Sequence, residues 1–194
     1  MKRLTLFILP FVAVVLLLPA CGGEKKPEPD PEARQQVNIP LSKEQSGLIQ
    51  PVEVPAEKLP DLSKLSEVEA SIFRRTVGLQ IPYYEILQKW ADEANTITTG
   101  EAAAVSLRQY LNIQNDFARS MQRLDMEFAG KIDPEYAGSA AFEVAVDEYM
   151  NDPQLMKRTE YIMGSYTNLM QRFKDDPACK EFFAEVERLA RESQ

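Results

Sequence analysis

The stretch that decides the fold runs from residue 110 to residue 128 and reads YLNIQNDFARSMQRLDMEF. Six apolar residues recur in it at steps of three and four, a spacing that places them on one face of an α-helix. They are Tyr110, Ile113, Phe117, Met121, Leu124 and Phe128. With its flanks the pattern covers about 30 residues, or about 45 Å of helix. We therefore expect this helix to be the central element of a helical body.

Helix-start signals before this stretch indicate where it and its neighbour begin. Ser66 and Glu69 have the spacing of a capping box, in which each residue satisfies an amide of the other, and Thr98 and Glu101 offer a second one. Between the two signals, Gly78 and Pro82 predict a break or kink near Ile81, because proline cannot donate a backbone hydrogen bond.

Three Asp-Pro pairs after the central stretch are each predicted to open a further helix. Aspartate accepts hydrogen bonds from amides of the first turn, and proline at the first helical position lacks a donor that would have stayed unused. The pairs are Asp133-Pro134, Asp152-Pro153 and Asp176-Pro177. Since no alternating β-branched run follows Leu62, the sequence predicts an all-α fold, a bundle of about five helices over residues 63–194.

The segment before the bundle, residues 21–62, is predicted to be a flexible linker. It holds seven of the thirteen prolines, and its first part has no residue that could seed a core. Its second part is more apolar than a simple spacer, with Ile39, Leu41, Leu48, Ile49, Val52 and Val54. Two interpretations are open: a strap that lies across the bundle, which we favour, or a segment that orders on a partner.

The N-terminus has the layout of an export signal, because Met1-Lys2-Arg3 precedes an apolar run from Leu4 to Leu18. The run ends in the four residues Leu18, Pro19, Ala20 and Cys21. This end resembles the lipobox of bacterial lipoproteins, and the resemblance covers about residues 1–22.

The lipoprotein resemblance implies that residues 1–20 are a signal peptide that is removed and that Cys21 becomes the first residue. Its sulfur would then carry a diacylglyceryl group and its amine a fatty acid such as palmitate, which together anchor the chain to a membrane. Gly22 stands where an aspartate would favour the inner membrane. The implied location is the outer membrane, facing the periplasm, in a cell with two membranes.

Charge and composition exclude several classes of function. Without Lys2 and Arg3 the chain has 20 basic and 30 acidic residues, a formal charge of −10. Nucleic acid is therefore not an expected partner, since its phosphates require a basic surface. The sequence contains no histidine, which removes Ser-His-Asp and Cys-His catalysis and imidazole metal sites. We predict no cofactor and no enzymatic activity.

Two kinds of sulfur residue are candidates for chemistry. Cys179 is a weak candidate for a redox role, because it lies in the first turn of a predicted helix; the alternative is a small buried apolar residue. Met156, Met163 and Met170 are seven apart, or about 10.5 Å along a helix, too far for neighbours to share a metal ion. We interpret the methionines as core residues and predict no metal site.

Three functions remain open. The preferred one is a lipid-anchored cell-envelope protein whose bundle binds or scaffolds another envelope protein. The second is a carrier of an apolar small molecule or lipid in a tyrosine-lined space between the helices. The third is a hydrolase with two carboxylates, for which Glu143 and Asp147 share a helix face. Positive charge in the body is concentrated at Arg74-Arg75 and Lys157-Arg158. An acidic partner could bind there, but ordinary surface charge is the interpretation that we favour.

Overall fold

The computed structural model describes residues 47–129, 131 and 138–192 of the chain. Within these residues five α-helices follow one another, and a single 3-10 turn, Ala56–Lys58, precedes them. The helices are α1 (Glu67–Ala94), α2 (Gly100–Phe128), α3 (Ala140–Met150), α4 (Pro153–Phe173) and α5 (Pro177–Glu192). The all-α class and the number of helices are confirmed. The predicted signal peptide, the lipobox and the first part of the linker lie outside the described residues.

The cap chemistry that the sequence indicated is present at three helix starts. At α1 the Ser66 hydroxyl accepts from the Glu69 amide at 3.2 Å, and the Glu69 carboxylate accepts from the Ser66 amide at 2.8 Å, which completes the capping box. Asp152 accepts from the amides of residues 154 and 155, both at 2.9 Å. Asp176 accepts from the Ala178 amide at 2.9 Å. Both Asp-Pro predictions that fall on described residues are confirmed.

Of the other two predicted helix starts, one differs from the structure and one cannot be compared with it. The cap of α2 is Thr99, whose hydroxyl accepts from the Ala102 amide at 3.3 Å, so the Thr98 prediction was wrong by one residue. The Asp133-Pro134 pair lies outside the described residues. The helix expected after it, α3, begins at Ala140, where the Ser139 hydroxyl accepts from an amide of the first turn at 3.1 Å.

The helices α1 and α2 are antiparallel and form the centre of the body. Three contacts at successive levels show this. The Trp90 indole donates to the Ser106 carbonyl at 2.9 Å, the Tyr83 hydroxyl donates to the Gln114 side chain at 2.7 Å, and Arg75 pairs with Glu127 at 2.8 Å. The six-residue face predicted on α2 is confirmed, because all six side chains are buried. Burial of large apolar side chains at this interface is the main stabilising contribution.

The remaining helices cover the α1–α2 pair. Helix α4 packs on both, and the rings of Tyr110 and Tyr166 stack with centroids 4.6 Å apart. Helix α5 packs on α2, where Arg108 pairs with Glu185 at 2.6 Å. The short α3 meets the first half of α1 through the edge contact of Phe73 with Phe142. Among the described helices, none has the length and apolar character needed to cross a membrane.

Candidate functional site

The candidate site is formed where the chain arriving from the N-terminal side meets the bundle. We call residues 47–54 the strap. In the strap, Ile49 is 8% exposed and belongs to the hydrophobic core, and Val54 is half-buried against it, whereas residues 50–53 are exposed. The described part of the predicted linker, from residue 47 onward, is therefore attached to the folded body, in agreement with the strap interpretation.

The first attachment point of the strap is on α2. The backbone amide of Ile49 donates to the hydroxyl oxygen of Ser120 at 3.0 Å. That hydroxyl donates in turn to the Asp116 carbonyl of its own helix at 2.7 Å. The Ser120 hydroxyl proton is therefore used within α2, and the hydroxyl oxygen acts as the acceptor for the strap. Ser120 is 4% exposed, so this hydrogen bond satisfies a polar group that would otherwise be costly to bury.

The second attachment point is on α1, at the place where a break was predicted. Pro82 has no amide, so the carbonyl of Gly78 lacks its usual partner four residues later. The backbone amide of Val52 fills this role and donates to the Gly78 carbonyl at 2.9 Å. Helix α1 continues through Pro82 as one element, so of the predicted break or kink near Ile81 the break does not occur.

The strap approaches α1 closely because residue 78 has no side chain. A Cβ atom on Gly78 would lie 2.5 Å from the Val52 carbonyl oxygen, well inside van der Waals contact. Glycine in the middle of a helix is unfavourable relative to alanine by roughly 0.5–1 kcal/mol. At this position it makes room for another segment of backbone.

Gly78 and Pro82 on α1 and Asp116 and Ser120 on α2 together define what we call the strap groove. It offers two hydrogen-bond acceptors to backbone amides three residues apart and a buried place for one aliphatic side chain. Burial raises the pKa of the Asp116 carboxyl, and Arg119, 3.9 Å away, opposes the shift. These features suit an extended, largely apolar peptide.

Cys179, the weak redox candidate, lies elsewhere. It is 0% exposed, and its thiol contacts the Gly100 carbonyl at 3.6 Å between the first turns of α2 and α5. Burial raises the pKa of the thiol, and the Asp176 carboxylate raises it further. Both effects disfavour the thiolate, the reactive form. The environment is that of a buried apolar residue, the other interpretation of its position.

The tyrosines pack against other aromatic rings. Tyr83 stacks on Phe117 with ring centroids 4.1 Å apart, and Tyr110 lies between Trp90 and Tyr166. Burial raises the pKa values of these buried tyrosines. The rings thus fill the space that a carrier would use for its ligand. A depression of about 420 Å³ lies on the outer side of α5, lined by Ala184, Glu187, Arg188 and Arg191, away from these rings.

The remaining candidate side chains are not among the groups that accept hydrogen bonds from the strap. Glu143 and Asp147 are exposed on α3. Arg75 is engaged by its ion pair with Glu127. Among the described residues no group of three or more acidic, cysteine or histidine side chains is placed to hold a metal ion. The interpretation of the methionines as core residues was wrong for Met156, which is 46% exposed.

Comparison with protein-family models, with curated proteins and with solved structures finds no match for this chain. The functional argument therefore depends on the geometry of the strap and its groove.

Proposed function

We propose that the chain is a lipid-anchored binding module of the cell envelope, attached through Cys21 to the outer membrane of a two-membrane cell. Its helical body faces the periplasm and binds or scaffolds another envelope protein. The lipobox-like end of the apolar run supports the anchor. The absence of histidine from the sequence and the exposed positions of Glu143 and Asp147 favour binding over catalysis.

The observation that carries this proposal is the attachment of the strap to the bundle. The segment that leads from the anchor is held by the core through Ile49 and by backbone hydrogen bonds to α1 and α2. The linker therefore meets the bundle at a defined point on its surface. Such an attachment serves a protein that presents a surface to a partner.

Metabolic labelling with a palmitate analogue tests the anchor. We expect the mature chain to incorporate the label and to fractionate with membranes. Cys21→Ser should abolish the label, and Cys179→Ser, which changes the other cysteine, should leave it intact. Labelling of the Cys21→Ser variant at the wild-type level would overturn the anchor and the localisation together.

Crosslinking in intact cells tests the binding role. A photoreactive amino acid at an exposed position of the body, such as Ile86 or Val105, should yield a discrete adduct with an envelope protein. A wild-type chain without the photoreactive group is the control for background. If crosslinkers spread over the exposed faces of all five helices gave only background, the binding proposal would be wrong.

A further inference from the structure

We propose that the strap groove is a binding site for an extended peptide and that the strap occupies it as a removable ligand supplied by the same chain. The competing ligand is a partner segment of the same chemistry. It is an extended stretch with one isoleucine-sized side chain, whose own backbone amide and the amide three residues further on can both donate to the groove. This inference deepens the proposed function by giving the ligand class of the binding module, and it rests on that function for the partner's place in the envelope.

The groove is built without the strap. Its acceptors belong to α1 and α2, and these helices are joined by contacts that involve no strap residue. The Tyr83 ring stacks on Phe117 and its hydroxyl donates to Gln114, while the Trp90 indole donates to the Ser106 carbonyl. Departure of the strap therefore leaves both acceptors in place, one of them the carbonyl that Pro82 cannot satisfy.

The strap groove recognises the backbone of its ligand more than the side chains. Both hydrogen bonds to the strap use strap amides, which every residue except proline can supply. The glycine at position 78 permits close approach of any backbone. Only the buried place of Ile49 selects a side chain. This division, with affinity from main-chain hydrogen bonds and specificity from a pocket, is the way sheet edges recognise extended peptides.

The strap is held by few contacts, as a removable ligand must be. From residue 47 to residue 53 only Ile49 is buried, and Val52, which makes the second hydrogen bond, is 43% exposed. Segments with few buried apolar contacts open locally without unfolding the rest of a protein. Pro51, between the two attachment points, restricts the backbone and lowers the entropy that the strap loses on docking.

A fluorescent peptide with the strap sequence, residues 47–54, tests the inference on the detergent-solubilised mature chain. In the Ile49→Asp variant the strap is released, because a carboxylate would have to enter the core. We expect the peptide to bind this variant saturably and at least ten-fold more tightly than the wild type, whose groove is filled. Adding Gly78→Val should abolish binding, and a control peptide with aspartate in place of isoleucine should not bind.

We call a variant with a released strap an open variant, and a second one controls for misfolding of Ile49→Asp. Val52→Pro removes one amide at an exposed position, so it releases part of the strap without placing charge in the core, and helicity measured by circular dichroism should stay at the wild-type level. Equal binding of the peptide to wild type and to both open variants, or binding to none of them, would overturn the proposal. Since the assay needs no lipid, this result is independent of the Cys21 labelling.

Discussion

Gly78→Ala tests two effects of the glycine: it lowers the stability of the helix, and it leaves room for the strap to approach. Alanine is more favourable than glycine inside a helix by roughly 1 kcal/mol. The same methyl group would lie 2.5 Å from the Val52 carbonyl oxygen, so the strap has to move away. Its hydrogen bond to residue 78 contributes about 1 kcal/mol. The two contributions nearly cancel, so we expect Gly78→Ala to change the free energy of unfolding by less than about 1 kcal/mol.

Gly164 supplies the matched control, because it is an exposed glycine within α4 and a Cβ there would meet nothing within 4 Å. Gly164→Ala should raise the free energy of unfolding by roughly 0.5–1 kcal/mol. Urea denaturation measures both variants, and hydrogen exchange of the Ile49 and Val52 amides reports on the strap. Exchange of both amides should accelerate in Gly78→Ala alone. Equal stabilisation of the two variants, with protection at Val52 retained, would refute this account of the groove.

Three further predictions concern the core. The Oε1 atom of Gln80 is buried without a hydrogen-bond partner among the described residues, so Gln80→Met should raise the free energy of unfolding by about 1 kcal/mol. The control, Gln88→Met at an exposed site of the same helix, should change this free energy little. A loss of stability in Gln80→Met would contradict the prediction. Burial raises the pKa of Tyr149 to about 12, whereas the pKa of tyrosine in the unfolded chain is about 10. The shift therefore contributes to the stability of the fold in full below about pH 10, and this contribution is lost as the pH rises towards the folded pKa. Helicity should fall together with the rise of tyrosinate absorbance, and Tyr149→Phe should move the transition to higher pH. Cys179 should react with a thiol reagent only as fast as the protein unfolds, and rapid labelling of the native chain would show that its burial is incomplete.

Much of the fold follows from local sequence rules. The face of α2 was predictable because its apolar residues keep a helical period over five turns, and each of them indicates the same side. The caps at Ser66, Asp152 and Asp176 were predictable because the groups that satisfy each other are at most three residues apart. In such cases the residues that carry the sequence signal and the hydrogen bonds that they form lie within one turn of helix.

The errors have non-local causes. Thr98 and Thr99 are equivalent as caps by residue type. In the structure the cap of α2 is Thr99. The Asp176 carboxyl group, from the start of α5, fills the space beside the next residue, Gly100. Met156 was assigned to the core by residue type, although it is 46% exposed on its helix. Contacts between distant parts of the chain decide such matters, and one sequence does not show them.

The strap groove was only half predictable for the same reason. Apolar residues in the linker and the Gly78 and Pro82 pair were both visible, but nothing local joins them. The missing amide of Pro82 was interpreted as damage to α1, because a helix considered alone has no other donor to offer. The Val52 amide supplies that donor from outside the helix. An unsatisfied carbonyl beside a glycine is therefore better interpreted, in a helix packed within a larger chain, as a place where another backbone can bind.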